Sequence, residues 1–135
     1  RVIPNFIQTA LSGKPFTIYG DGSQTRSYCY VTDLVEGIVR MMASDEGNGK
    51  TVNLGNPGEY TILETAKTVA QVMTEQGIKT RSGEMPNTQL EFKPLPKDDP
   101  LRRRPDISLA RTLLDWEPQT DFKTGLEKTI RSFLG

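Results

Sequence analysis

Three short segments of this sequence carry residue types suited to gripping an anion. In Tyr19-Gly20-Asp21-Gly22, followed by Arg26, two glycines let the backbone approach a ligand closely, and the arginine offers a planar fork of donors that suits phosphate oxygens. Taken alone, the same residues read equally well as a hairpin with a solvated arginine. The second segment, Asp98-Asp99-Pro100-Leu101-Arg102-Arg103-Arg104-Pro105-Asp106, sets three arginines between prolines that stiffen it. Three consecutive arginines cannot all face one way, so one is free to meet a diphosphate while its neighbours pair with Asp98, Asp99 or solvent. A solvated charge run is the alternative. The third, Asn53-Leu54-Gly55-Asn56-Pro57-Gly58, places an asparagine where it can donate to a phosphate or a base, or close an Asx turn.

Catalytic groups are scarce by comparison. There is no histidine and one cysteine, Cys29, so a histidine base is excluded and no metal site is expected. No glycine-rich dinucleotide fingerprint follows a strand, no tyrosine has a lysine four residues later, and there is no Walker loop or Gly-x-Ser-x-Gly elbow. Trp116 and Cys29 read as core residues rather than a stacking platform and a nucleophile. No catalytic residue is assigned on these grounds.

The elements that must position the three segments follow from periodicity. Apolar residues from Val2 to Leu11 recur at helical spacing and stop at Gly13; Phe16 to Tyr19 reads as a strand, Gly20 to Ser23 as a turn and Arg26 to Val31 as strand-like. Thr32 or Asp33 is placed to cap a helix over Leu34 to Met42, with Leu34, Val35, Ile38, Val39 and Met42 on one face. Thr51 to Leu54 is a short strand. Thr61 and Glu64 form a capping box opening a helix to about Gln76, closed by Gly77. Lys79 to Gln89 has no period and reads as a mobile loop, Leu90 to Leu95 as a strand ended by Pro94, and Lys97 to Pro105 as a loop. Asp106 caps a helix over Ile107 to Leu114, and Asp121 caps a last helix carrying Phe122, Leu126, Ile130 and Phe133. Strands separated by amphipathic helices predict an α/β or α+β fold.

Composition sets the outer limits. The chain has 135 residues, with 17 basic and 17 acidic side chains that cancel, so no global field draws nucleic acid or an anionic membrane. No apolar run reaches the ~20 residues of a membrane span. A single cysteine allows no internal disulfide and points to a reducing, cytoplasmic setting. A hydrophobic content of 35% suits either a piece that leans on another domain or a domain with a wet, ligand-facing side. The start at Arg1, directly in an apolar pattern, suggests a piece of a longer chain.

Taken in order, these segments resemble the substrate-binding part of extended short-chain dehydrogenases/reductases that act on nucleotide sugars. Arg1-Val2-Ile3-Pro4-Asn5-Phe6-Ile7, the Tyr19 to Tyr28 block and Tyr30-Val31-Thr32-Asp33-Leu34-Val35 are similar to that superfamily as a whole. Asn53 to Glu59, Asp98-Asp99-Pro100, Arg103-Arg104-Pro105-Asp106-Ile107 and Leu114 to Pro118 resemble the UDP-glucuronate decarboxylases in particular. Lys79 to Gln89 looks longer than that pattern, and Cys29 replaces another residue.

The resemblance implies an α/β fold: the C-terminal substrate-binding portion of a Rossmann-like enzyme, without its main NAD-binding sheet. Residues 1–27 and 57–135 then form a substrate-binding lobe, and 28–56 a strand–helix–strand segment returning to the Rossmann-like domain. It implies NAD as cofactor, held by another part of the protein, a UDP-sugar as substrate, and a homodimer. The implied reaction is oxidation at C4 of the glucuronate ring, loss of carbon dioxide and re-reduction to UDP-xylose. Arg1 and Val2 would approach the nucleotide or its sugar, and Thr17 and Tyr19 would bracket uracil and ribose through their backbone. Arg26 and Arg103 would hold the diphosphate with help from Asn53, Arg103 also lying near the sugar carboxylate. A dTDP-glucose 4,6-dehydratase, a UDP-sugar 4-epimerase and a non-catalytic nucleotide-sugar binding module are the competing readings.

Overall fold

The structure is a computed structural model and describes residues 1–134. Five helices and four short strands alternate: α1 (Val2–Leu11), β1 (Phe16–Tyr19), β2 (Thr25–Arg26), α2 (Val31–Ala43), β3 (Tyr60–Thr61), α3 (Ile62–Glu75), β4 (Leu90–Lys93), α4 (Ser108–Leu114) and α5 (Phe122–Phe133). β1 pairs parallel with β4, and β2 pairs antiparallel with β3. The fold is α/β, with two two-stranded sheets rather than one large one.

The main core forms where α1 and β1 meet α3 and α5. Phe6, Ile7, Ala10 and Leu11 repeat at helical spacing and bury one face of α1 against Ala66, Val69, Ala70 and Met73 of α3. Phe6 and Phe16 meet edge to face, with ring centroids 5.5 Å apart. Each such side chain, fully buried, contributes about 1.5–3 kcal/mol. The capping box holds as the sequence predicts: Glu64 N donates to Thr61 Oγ1 at 2.9 Å, and Thr61 N donates to Glu64 Oε2 at 3.0 Å. Gly77 closes α3 with φ +65°, a value glycine adopts without steric cost.

A second core gathers Ile107, Ala110, Leu114 and Trp116 under the inner face of α2. Trp116 is buried, and its indole N–H donates to the Asp33 carbonyl at 2.9 Å. Cys29 lies half-buried beside this cluster, and burial, then the Asp33 charge, pushes its thiol upward in pKa, as for a packing residue.

Several sequence expectations need correction. Neither Arg26 to Val31 nor Thr51 to Leu54 forms a strand beyond the Thr25–Arg26 pair. A ladder needs paired backbones, and no strand is hydrogen-bonded to these stretches beyond the β2–β3 pair among the described residues. Of the strand–helix–strand expected over 28–56, only the helix is regular. It starts at Val31, and Tyr30 rather than Thr32 or Asp33 occupies the N-cap. The Asp33 carboxylate instead accepts from Thr120 N at 2.9 Å, tying α2 to the approach to α5. Lys79 to Gln89 is a loop, as expected, and Arg81 N within it donates to the Leu11 carbonyl at 2.8 Å.

The apolar stripe of α2 also departs from a simple core face. Val31, Val35, Ile38, Val39 and Met42 are 46–82% exposed, while Gly37, on the opposite side, packs against Leu54 and Trp116. No helix among the described residues is long and apolar enough to cross a membrane.

Candidate functional site

A cleft of about 970 Å³ opens between α1, the end of β1, β2 and the strap from Pro96 to Arg103. That lies at the upper end of ordinary small-ligand sites, ~300–1,000 Å³. Of the seven residues singled out from the sequence, the cleft is lined by Arg1, Val2, Thr17, Tyr19, Arg26 and Arg103. Asn53 is not among them; it is exposed on the segment after α2. Its strand-end position rested on a strand over Thr51 to Leu54 that does not form.

β1 supplies one wall, and its pairing fixes which backbone groups face the cleft. Phe16 N and Gly20 N donate to the Gln89 and Lys93 carbonyls at 3.0 and 2.8 Å, so alternate residues face β4. Thr17 and Tyr19, out of phase with these, present their main-chain groups on the free edge. The Tyr19 carbonyl is taken there by Gln24 Nε2 at 2.9 Å. Gln24 is 5% exposed and lines the cleft. Sequence reading missed it, because a glutamine in a turn carries no signal until its fold partner is known.

Arg26 lines the same cleft. Its side chain is 12% exposed; one terminal nitrogen donates to the Thr25 and Pro100 carbonyls at 2.7 and 2.8 Å, the other to Asp99 Oδ1 at 2.7 Å. A guanidinium has five N–H groups, so two remain for a ligand. The strap is stitched to β2 at each step. Thr25 N donates to Leu101 O at 2.8 Å, and Ser27 Oγ donates to Arg103 O at 3.0 Å. The arginine run divides as geometry demands, but with a partner the sequence did not suggest. Arg102 binds both carboxylate oxygens of Glu59, which holds that carboxyl below the usual glutamate range. Asp99 pairs with Arg26, and Asp98 stands at φ +64°. The Arg103 guanidinium makes no hydrogen bond or ion pair among the described residues and lines the cleft.

The electrostatic balance favours an anion. Arg1, Arg26, Lys97 and Arg103 face Asp98 and Asp99, and Asp99 is neutralised by Arg26. Behind them Tyr28 stacks on Phe122 with centroids 5.3 Å apart, and its hydroxyl bonds Thr65 Oγ1 at 3.1 Å. Burial pushes this phenol upward in pKa, so it stays protonated and structural. No group of three or more metal-ligating side chains occurs among the described residues. The arrangement gathers cationic donors and a free strand edge around one cleft, a chemistry suited to a phosphorylated ligand.

Comparison with known proteins places this geometry. Residues 1–129 match the family model described as GDP-mannose 4,6 dehydratase. The chain is 44% identical over 133 residues to UDP-glucuronic acid decarboxylase 2 of Arabidopsis thaliana, covering 98% of this chain and 27% of that protein. Among solved structures, an epimerase, Mth375, from Methanothermobacter thermautotrophicus superposes with a TM-score of 0.87 at 34% identity, covering 99% of this chain and 37% of that one. UDP-glucuronic acid 4-epimerase from Bacillus cereus, in complex with UDP-glucuronic acid and NAD, superposes with a TM-score of 0.79 at 26% identity, covering 98% and 40%. The chain thus spans well under half the length of the relatives it matches.

Proposed function

This chain belongs to the family described as GDP-mannose 4,6 dehydratase, within the extended short-chain dehydrogenases/reductases, and we propose that it is the nucleotide-sugar recognition part of an NAD-dependent UDP-glucuronate decarboxylase. One observation carries the reading: Arg26 and Arg103, on segments joined by the Ser27–Arg103 hydrogen bond, line the same cleft as Thr17 and Tyr19 of β1. A base recognised by main-chain groups at Thr17 then lies within the same cleft as a diphosphate held by the two guanidiniums. Arg1 and Val2, at the start of α1, line the side where the sugar would enter.

The role of this chain is positioning. Clamping the nucleotide fixes where the glucuronate ring stands, and binding energy from a remote part of a substrate accelerates chemistry at the reacting carbon. Arg103 lines the cleft with no side-chain partner among the described residues, which leaves it free to reach the sugar carboxylate as well. NAD enters through the Bacillus cereus relative that binds it. The described residues do not fit it. The glycines after β1 lead into β2 rather than into a helix, and a Cβ at Gly22 would meet Ile18 at 2.9 Å, so that glycine serves packing. The redox steps are assigned to no residue described here, and this chain alone is expected to be inactive.

The exposed stripe on α2 supports a large sheet lying against it, as a Rossmann-like domain would. On this reading residues 1–27 and 57–135 build the substrate lobe, and 28–56 returns to that domain. Homodimer assembly belongs to the same proposal, and light scattering on the full-length gene product measures it.

A second reading, a UDP-sugar 4-epimerase, is favoured by the epimerase structures that superpose on this chain. Giving UDP-glucuronate and NAD to the full-length gene product separates the two. Carbon dioxide with UDP-xylose is the expected outcome; the 4-epimer without carbon dioxide assigns the chain to the epimerases.

A further inference from the structure

We propose that Asp99 is a positioning residue for the phosphate grip: it orients Arg26 and, with it, pins the strap that carries Arg103. The proposal rests on the nucleotide-sugar reading above and names a part of the site that the reading does not contain.

Three observations support it. The Arg26–Asp99 contact is 2.7 Å long and largely shielded, with side-chain exposures of 12% and 29%, so solvent competes weakly for it. The other bonds of Arg26 run to the Thr25 and Pro100 carbonyls, so Asp99 is the one charged partner that sets the roll of the guanidinium. That roll decides where the two remaining N–H groups point. Finally, Asp98 adopts a left-handed φ of +64° immediately before Asp99, which turns the strap so that Asp99 faces Arg26. Asp98 itself makes no hydrogen bond or ion pair among the described residues. One carboxylate of the Asp98-Asp99 pair is thus built into the grip, while its neighbour shares the strap and the cleft without touching the arginine.

Charge alone predicts the opposite behaviour. A carboxylate beside a diphosphate repels it, and removing Asp99 would then tighten binding. Orientation predicts weakening, because an arginine fork contributes its two parallel bonds only when held in the right plane.

The test is calorimetric titration of UDP and of uridine into the full-length gene product, as wild type, Asp99→Asn, Arg26→Gln and the double variant, with Asp98→Asn as the charge control. Asp99→Asn is expected to weaken UDP about tenfold while leaving uridine unchanged, and to cost nothing further in the Arg26→Gln background. Asp98→Asn is expected not to weaken UDP. UDP binding equal to or tighter than wild type in Asp99→Asn overturns the proposal. So does an equal loss for UDP and uridine, which marks a general structural defect, and so do simply additive costs. If Asp99→Asn does not fold, Asp99→Glu, which keeps the charge but lengthens the arm, must weaken UDP and spare uridine. A wild type that does not bind UDP removes the nucleotide reading itself, and this proposal with it.

Discussion

Ser27 Oγ donates to the main-chain carbonyl of Arg103 at 3.0 Å, joining residues 76 positions apart. Ser27 directly follows Arg26, so the two arginines expected to hold the diphosphate hang from neighbouring stitches of one seam. The seam fixes how far apart their main chains stand, which lowers the entropy lost when both engage one ligand.

Arg103→Lys tests that seam from the ligand's side. Lysine keeps the charge but loses the planar fork. UDP affinity is expected to fall about tenfold, the order of one charge-assisted hydrogen bond, with uridine affinity unchanged. Titration measures both. If Arg103 also serves the sugar carboxylate, Arg103→Ala loses turnover of UDP-glucuronate beyond its loss of UDP affinity, and normal turnover would remove that role.

Thr61→Ala removes the hydroxyl that accepts from Glu64 N, and is expected to lower stability by about 1 kcal/mol. Thr61→Ser is expected to retain most of it. Urea unfolding of the two variants gives the comparison.

That cap was legible because all its parts lie within four residues, and so were α1, β1, β4, the Asp121 cap and the placement of Arg26 and Arg103 in one cleft. What was not legible depends on distant partners. Asp99 lies 73 residues from Arg26, and nothing in the spacing says that the arginine chooses it over a phosphate. Arg102 finds Glu59, 43 residues away, rather than the nearby aspartates. Arg26 to Val31 and Thr51 to Leu54 read as strands from their residue pattern, but a strand exists only where another backbone meets it. Asn53, expected at the end of the Thr51 to Leu54 strand, stands outside the cleft.

Gly37→Ala should destabilise the second core. A Cβ there would stand 3.0 Å from both Leu54 methyl carbons and 3.1 Å from the Trp116 ring. Overpacking of this kind costs about 1–3 kcal/mol. The denaturation midpoint is expected to drop, with Trp116 fluorescence altered in the folded state.

The Glu59–Arg102 pair has a defined pH signature. The hydrogen bond from Arg102 and its charge hold the Glu59 carboxyl below its ordinary value in the folded state. A depressed carboxyl contributes stability that is present above the unfolded glutamate pKa and lost as pH falls through the folded one. Wild type is therefore expected to be more stable than Glu59→Gln near neutrality. The gap should close as pH falls below the ordinary glutamate value of about 4.3. Urea midpoints of both proteins across that range check it; a gap that widens toward acid contradicts the pairing.

The most direct test of the central claim is competitive calorimetry of UDP against GDP on the full-length gene product, repeated with Arg26→Gln and Arg103→Ala. Uridine-selective binding that both variants weaken is the predicted result. Preference for GDP, or UDP binding that neither variant disturbs, would contradict the account.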